Sequence, residues 1–349
     1  METNNRKMYI DIAKVIAIFA VILVHVQING KTLNAKDIVV GNYFIDNVWY
    51  WFRYIVTNCS NTMFMLITGA TRLRKKDDNG NVDYKKHFKE ILKVFLLFLA
   101  FQIPFYVYYH LKYGGEMSVL DFLRTNFTSQ VQEIYWYIPW FLIPFLLILP
   151  ILKKFSSVSD KKDCEYLIII FLLVEFVLTA IKIRWKVQSN IRFDFFISIY
   201  IYPIMGDLLC NKYKDLEINI IKLPIILFLG VLFYMFHDRY AIMNVYISAS
   251  VLYMLRYISI KNNDFAVIKN RTIGKMITFS ASNALLFYLL HPYSLKLLFR
   301  VGDKYYNSSR GIIDIFGILL FWFLNFALCY LAIFIYNKFK KMLIRNYNV

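Results

Sequence analysis

The chain has 349 residues, of which 59% are hydrophobic and 19% aromatic, with a mean hydropathy of +0.48. Only 18% are charged, and Lys and Arg outnumber Asp and Glu by 41 to 23, a formal charge of +18. A soluble domain of this length carries more charge and less Phe and Tyr, and the apolar runs are continuous rather than alternating. The composition therefore predicts an all-α integral membrane protein and excludes soluble and barrel classes.

In chain order the apolar runs predict about ten transmembrane helices, over 8–27, 46–70, 90–110, 134–152, 164–183, 194–211, 222–237, 240–258, 280–299 and 311–337. A run of roughly 18–22 residues is long enough to cross about 30 Å of hydrocarbon as a helix. The first run, "DIAKVIAIFAVILVH", keeps Asp11 and Lys14 at one end and His25 at the other. The second contains the polar stretch "TNCSNT" and is expected to be bent or interrupted. "KKDDNGNVDYKK" reads as a turn, since Asn-Gly between charges has nothing to bury. The segment from Leu111 to Glu133 is the longest outer connection and is expected to fold back on the outer face. With no soluble segment at either end, the reading is one membrane-embedded domain over 1–349.

The basic excess is a topology signal. Alternate connections hold Arg6 and Lys7, "RLRKKDDNGNVDYKKHFKEILK", "KKFSSVSDKK", "KNNDFAVIKNRTIGK" and "KFKKMLIR", while the other set is poorer in Lys and Arg, "KIRWKVQSNIR" excepted. By the positive-inside rule both termini lie in the cytoplasm, and nucleic acid is not the partner; membrane lipid is. Arg6 and Lys7 before an apolar run resemble a signal peptide, but no small-x-small site follows, so the first helix is read as retained. The four cysteines fall in or beside different runs, suggesting neither a disulfide framework nor a metal site.

Eleven residues separate Lys14 from His25. On a helix that places them roughly 20° apart in projection and about 16 Å apart along the axis. Asp11 shares the stripe within roughly 40° of His25. One face of this helix is thus polar at both mouths and apolar between. A transmembrane charge is expensive and is a functional candidate by default. The plainer alternative is a boundary ion pair of Asp11 with a snorkelling Lys14, and a hydrogen-bonded interfacial His25. Glu175 falls mid-run, where a carboxylate needs a partner or a proton. Trp49, Trp51, Trp136, Trp140 and Trp185 gather at predicted outer ends, Trp322 excepted, which suggests sugar-stacking surfaces as well as an interfacial belt.

"YIDIAKVIAIFAVILVH" resembles the first helix of the acyltransferase 3 family, multi-pass membrane enzymes that decorate cell-surface glycans. "NTMFMLITGATRLRKK", "KKHFKEILKVFLLF", "YWYIPWFLIPFLLILPIL", "YPIMGDLL" and "FSASNALLFYLLHPYSL" resemble later helices of that family in the same order. The likeness covers essentially the whole chain. It departs at Lys14, Lys89 and Lys93, where the family often has Arg, at Thr62 and Thr68, and at Tyr135 where a His is usual. Lys keeps the charge but loses the planar fork that binds phosphate in two places.

The resemblance implies an acyl group taken from a cytosolic thioester, usually acetyl-CoA, and delivered to a hydroxyl of a surface polysaccharide or a lipid-linked glycan precursor. On that footing Lys14, Lys89 and Lys93 are expected to hold the donor's phosphates, with Arg72, Arg74, Lys75 and Lys76 nearby. His25 is the expected acyl-transfer residue, either as a base, for which an imidazole is suited near neutrality, or by carrying the acyl group itself. His291 is expected in the same outer half, with helix-end packing beside Pro292 as its plainer role, and Arg53 is a candidate to stabilise an oxyanion or, equally, to pair with Asp46 or snorkel outward. Glu133, Tyr135 and Trp136 are the expected acceptor contacts. The rival reading is a translocator or permease for a glycan or small solute, which a polar stripe serves equally well.

Overall fold

A computed structural model describes residues 7–29, 42–73, 83–112, 118, 121, 137–185, 193–213, 241–302 and 312–347. Among them every regular element is helical. The helices longer than one turn are α1 (Met8–Asn29), α2 (Tyr43–Asn58), α3 (Asn61–Arg72), α4 (Tyr84–Lys112), α5 (Ile143–Val158), α6 (Lys161–Trp185), α7 (Phe193–Asp207), α8 (Ala241–Lys261), α9 (Thr272–Ser282), α10 (Ala284–Gly302) and α11 (Ile312–Tyr347), and a single turn, Ala266–Lys269, precedes α9. A π-helical turn, Ile138–Leu142, leads into α5, and another, Leu208–Lys212, ends α7.

Nine of the ten predicted runs coincide with these helices, and the run over 222–237 lies outside the described residues. Two of the nine are broken. The second run divides into α2 and α3 at Cys59 and Ser60, within the polar stretch. The run over 280–299 is joined to α9 through a bend of 86°. At that bend the Asn283 amide donates to the Phe279 carbonyl (2.8 Å), and the Asn337 amide donates to the Asn283 side-chain oxygen (3.2 Å). An Asn side chain that takes a backbone carbonyl competes with the helix ladder and ends it. Among the described residues two helices, Met8–Val26 and Ile315–Ile344, are long and apolar enough to cross a membrane, or three if the bent pair counts as one.

Cα packing divides the chain into two compact units. The first holds α1, α2, α8, α9, α10 and α11, and α1 is its axis, packed against α2, α9, α10 and α11. Ala13, Ala17 and Ala20 are fully buried on α1, and these small side chains admit close neighbours. Of the α1 span 67% is buried, against 28% of α11, whose Phe316, Leu320, Phe323 and Leu331 are exposed. The first is an interior helix, and the second turns a broad apolar face outward.

The start of α1 is capped from across the unit. Both carboxylate oxygens of Asp264 accept from the Met8 N–H (3.0 and 2.9 Å), and Ser259 donates to the same carboxylate (2.9 Å). Asn263, Asp264 and Phe265 reach this position in left-handed backbone, with φ of 47°, 53° and 56°. Asn and Asp tolerate that region, whereas for Phe it is a steric outlier.

The second unit holds most of α3 with α4, α5, α6 and α7. Its tightest crossing joins α3 to α7, where a Cβ on Gly69 would strike the Pro203 carbonyl and one on Gly206 would strike the Leu66 carbonyl. Glycine at both positions lets backbone approach backbone. Beside the crossing, the buried Asp207 accepts from Ser156 (2.5 Å) and Asn211 (2.7 Å), while Asn211 also donates to the Ala70 carbonyl (2.9 Å). Lys212 donates to the carbonyls of Ser156 (2.9 Å) and Ser159 (2.5 Å). One polar knot thus ties the ends of α3, α5 and α7.

Candidate functional site

Two histidines 266 positions apart in the chain meet in the first unit. His25 on α1 and His291 on α10 are both buried, and their ring centroids lie 4.8 Å apart at 38°. Their encounter follows from the packing of α10 along α1.

The protonation of His291 follows from its neighbour. Pro292 has no N–H, so the Tyr288 carbonyl four residues earlier loses its helical donor. The His291 Nδ1 lies 2.6 Å from that carbonyl. A carbonyl only accepts, so Nδ1 carries the proton and Nε2 of the neutral ring presents a bare lone pair. Among the described residues, His291 Nε2 and His25 Nδ1 are both buried without a hydrogen-bond partner. A buried unsatisfied nitrogen costs about 1–3 kcal/mol, so two of them on touching rings are a strong sign of a reacting group or ligand.

The pair is held rigidly. The Asn325 amide on α11 donates to the His291 carbonyl (2.9 Å), as does Ser294 (3.1 Å), and Ser294 also meets the Cys329 thiol (3.2 Å). One and a half turns before His25, Phe19 stacks on Phe326 with centroids 4.1 Å apart, and Phe326 stacks on Phe287 at 5.0 Å. Trp322 closes the cluster by donating to the Phe19 carbonyl (2.6 Å). These rings form the apolar wall between the histidines and the end of α1 that bears Asp11, which is buried, and Lys14, which is half-buried.

Lys89 and Lys93 belong to the second unit, one turn apart on the exposed side of α4. They line an open groove of about 440 Å³ that continues over Leu92, Leu96, Leu97 and Ala100. The base of α4 is fixed by a second use of the proline device. Pro150 leaves the Leu146 carbonyl on α5 without its helical donor, and His87 Nε2 lies 2.6 Å from that oxygen. Nearby, Arg72 pairs with Glu90 at 2.5 Å and so has an acidic partner of its own.

A family model described as an acyltransferase domain, Acyl_transf_3, matches residues 8–336. The chain belongs to the acyltransferase 3 family. No curated protein and no solved structure matches it. The family match runs across both compact units and includes His25, His291, Lys14, Lys89 and Lys93.

For an acyltransferase the pairing of two imidazoles is chemically apt. An acyl acceptor must lose its proton as it attacks the acyl carbon, and a bare imidazole nitrogen takes one. Of the other sequence candidates, Arg53 sits in α2 and Glu175 in α6, with side chains outside the described residues. Glu133, Tyr135 and Trp136 lie outside the described residues altogether.

Three residues that sequence reasoning passed over are also prominent. Asn325 is fully buried and holds His291. Asp264 caps α1. Arg256 is buried near the end of α8, 8% exposed. A lone Arg within "VYISASVLYMLRYISIK" is a sequence signal of the same kind as Lys14.

Proposed function

We propose that the chain is a multi-pass O-acyltransferase of the cell membrane, about ten spans with both termini cytoplasmic, that moves an acetyl group from acetyl-CoA to a hydroxyl of a surface polysaccharide or its lipid-linked precursor. The observation that carries this reading is the buried His25–His291 contact with an unpartnered nitrogen on each ring, inside an acyltransferase domain. His25 acts as the base. It takes the acceptor's hydroxyl proton as the oxygen attacks the thioester carbonyl. The carbon–sulfur bond breaks, and the thiolate leaves with that proton as CoA.

The donor's phosphates face cations. Lys14 on α1, and Lys89 and Lys93 on α4, supply them in this reading. Arg53 is assigned to the developing oxyanion, and Glu133, Tyr135 and Trp136 to the acceptor, on the strength of the family resemblance. The groove beside Lys89 and Lys93 supports the donor assignment, since it sets two ammonium groups at one end of an open apolar strip along α4.

The test is mass spectrometry of the surface glycan from cells with and without the gene, paired with transfer from labelled acetyl-CoA in membrane vesicles. Loss of acetyl increments from the glycan, and label appearing on it, are expected. A glycan with unchanged acetylation and vesicles that ignore CoA but still move a solute would establish the translocator reading instead.

A further inference from the structure

We propose that the exposed side of α4 holds an anionic phospholipid, with its phosphate on Lys89 and Lys93 and one acyl chain along the leucines above them. The assignment rests on reading the chain as a multi-pass membrane protein; it does not need the donor reading. Its ground is the setting of α4 in the second unit. At about 100° per residue, His87, Phe98 and Gln102 share one side of the helix. That side is the inner one: Phe98 and Gln102 are buried, and His87 reaches the Leu146 carbonyl of α5. Lys89, Lys93, Leu96 and Ala100 lie on the opposite side and line the groove. The same stripe continues beyond it as Ile103, Val107 and Leu111, all exposed.

Length and charge select the occupant. Eleven positions separate Lys89 from Ala100, about 16 Å of helix. One leaflet of the hydrocarbon core is about 15 Å deep. The groove thus spans one leaflet, cationic at one end and apolar through the rest, with the small Ala100 set between the larger Leu96 and Ile103. Both ammonium groups are open to a phosphate. Glu90, the acid between them in the chain, is paired with Arg72 at 2.5 Å, and among the described residues no acid pairs with Lys89 or Lys93. Lysines at the cytoplasmic surface favour anionic headgroups, whereas a zwitterionic lipid brings its own cation. Where CoA also binds, the lipid's phosphate and the donor's compete for one ammonium pair.

The experiment is native mass spectrometry of the full-length protein, released from detergent after exposure to equal amounts of phosphatidylglycerol and phosphatidylcholine with the same acyl chains. Wild type should keep phosphatidylglycerol over phosphatidylcholine by roughly tenfold or more. Phosphatidylglycerol should also raise its unfolding temperature, as a ligand of the folded state does. Lys89→Gln with Lys93→Gln should bring the two lipids to parity and remove that rise. Ala100→Trp fills the strip but leaves both charges, and it too should lower retention. Lys338→Gln with Lys341→Gln, exposed cations of α11, should keep the wild-type preference. An equal loss from the α11 pair, or full retention by Ala100→Trp, would overturn the site. So would displacement of the lipid by glycerol 3-phosphate at matched concentration, which carries the charge without the chain. A wild type that keeps no lipid but forms dimers, broken by the lysine variant, would give the strip to a second copy instead. If alkaline carbonate strips the protein from membranes without detergent, the multi-pass reading falls and the site with it.

Discussion

Pro292 sets the proton on His291. By withholding an N–H from the Tyr288 carbonyl, it leaves an acceptor that His291 Nδ1–H fills at 2.6 Å, and the other nitrogen of a ring packed on His25 is left without a hydrogen-bond partner. The His-Pro pair thus works as a unit, in which the second residue fixes the tautomer of the first. Pro292→Ala restores the backbone donor and sets it in competition with the imidazole. The expected result is folded protein with acyl transfer lowered by roughly tenfold or more, read as turnover per folded molecule. Nitrogen-15 NMR of the labelled histidines would show His291 losing its single tautomer; an unchanged spectrum with full activity would refute the coupling.

His25→Gln should be as inactive as His25→Ala, each down roughly 10²–10⁴-fold while the protein still inserts and folds. Gln keeps hydrogen-bonding capacity but takes no proton at neutral pH. Near-normal transfer by folded His25→Gln protein would end the assignment of His25 as the base.

The same proline device predicts a rescue in the second unit. His87→Ala strands the Leu146 carbonyl and should destabilise by about 1–3 kcal/mol. Pro150→Ala returns an N–H to that carbonyl, so His87→Ala combined with Pro150→Ala should recover part of the loss in a double-mutant cycle of thermal unfolding. Strict additivity would show that the His87 contact carries no such burden.

Gly69→Ala and Gly206→Ala should each destabilise by about 1–3 kcal/mol, because the new methyl meets backbone carbonyls that cannot swing aside. Unfolding temperature in detergent reads the effect, and Gly→Ala elsewhere on exposed helix should instead be neutral or stabilising.

Replacing Lys89 and Lys93 together by Gln should weaken CoA binding far more than replacing Lys75 and Lys76. Equal losses would reduce both pairs to a general charge effect.

What the sequence displayed and what it hid have physical causes. Helices were legible as long apolar runs, and His25 and His291 stood out because a titratable group in such a run has few neutral explanations. The break at Asn283 was hidden, since one amide that turns back on its own helix looks like any other polar residue until Asn337 is beside it. Asp264 was unreadable as a cap, because its partner lies 256 residues away and no local pattern links a loop aspartate to the first helical N–H. The two prolines were plain to see, but the imidazole that serves each freed carbonyl comes from the next residue back in one case and from another helix in the other.

The Asp264 cap bears on biogenesis. The carboxylate that closes the first turn of α1 comes from a left-handed loop made some 250 residues after it, and the α1 neighbours α9, α10 and α11 come later still. Through most of synthesis α1 therefore waits without its cap and with Asp11, Lys14 and His25 unsheltered. A nascent chain stopped before residue 264 therefore holds α1 without the cap that the mature protein gives it.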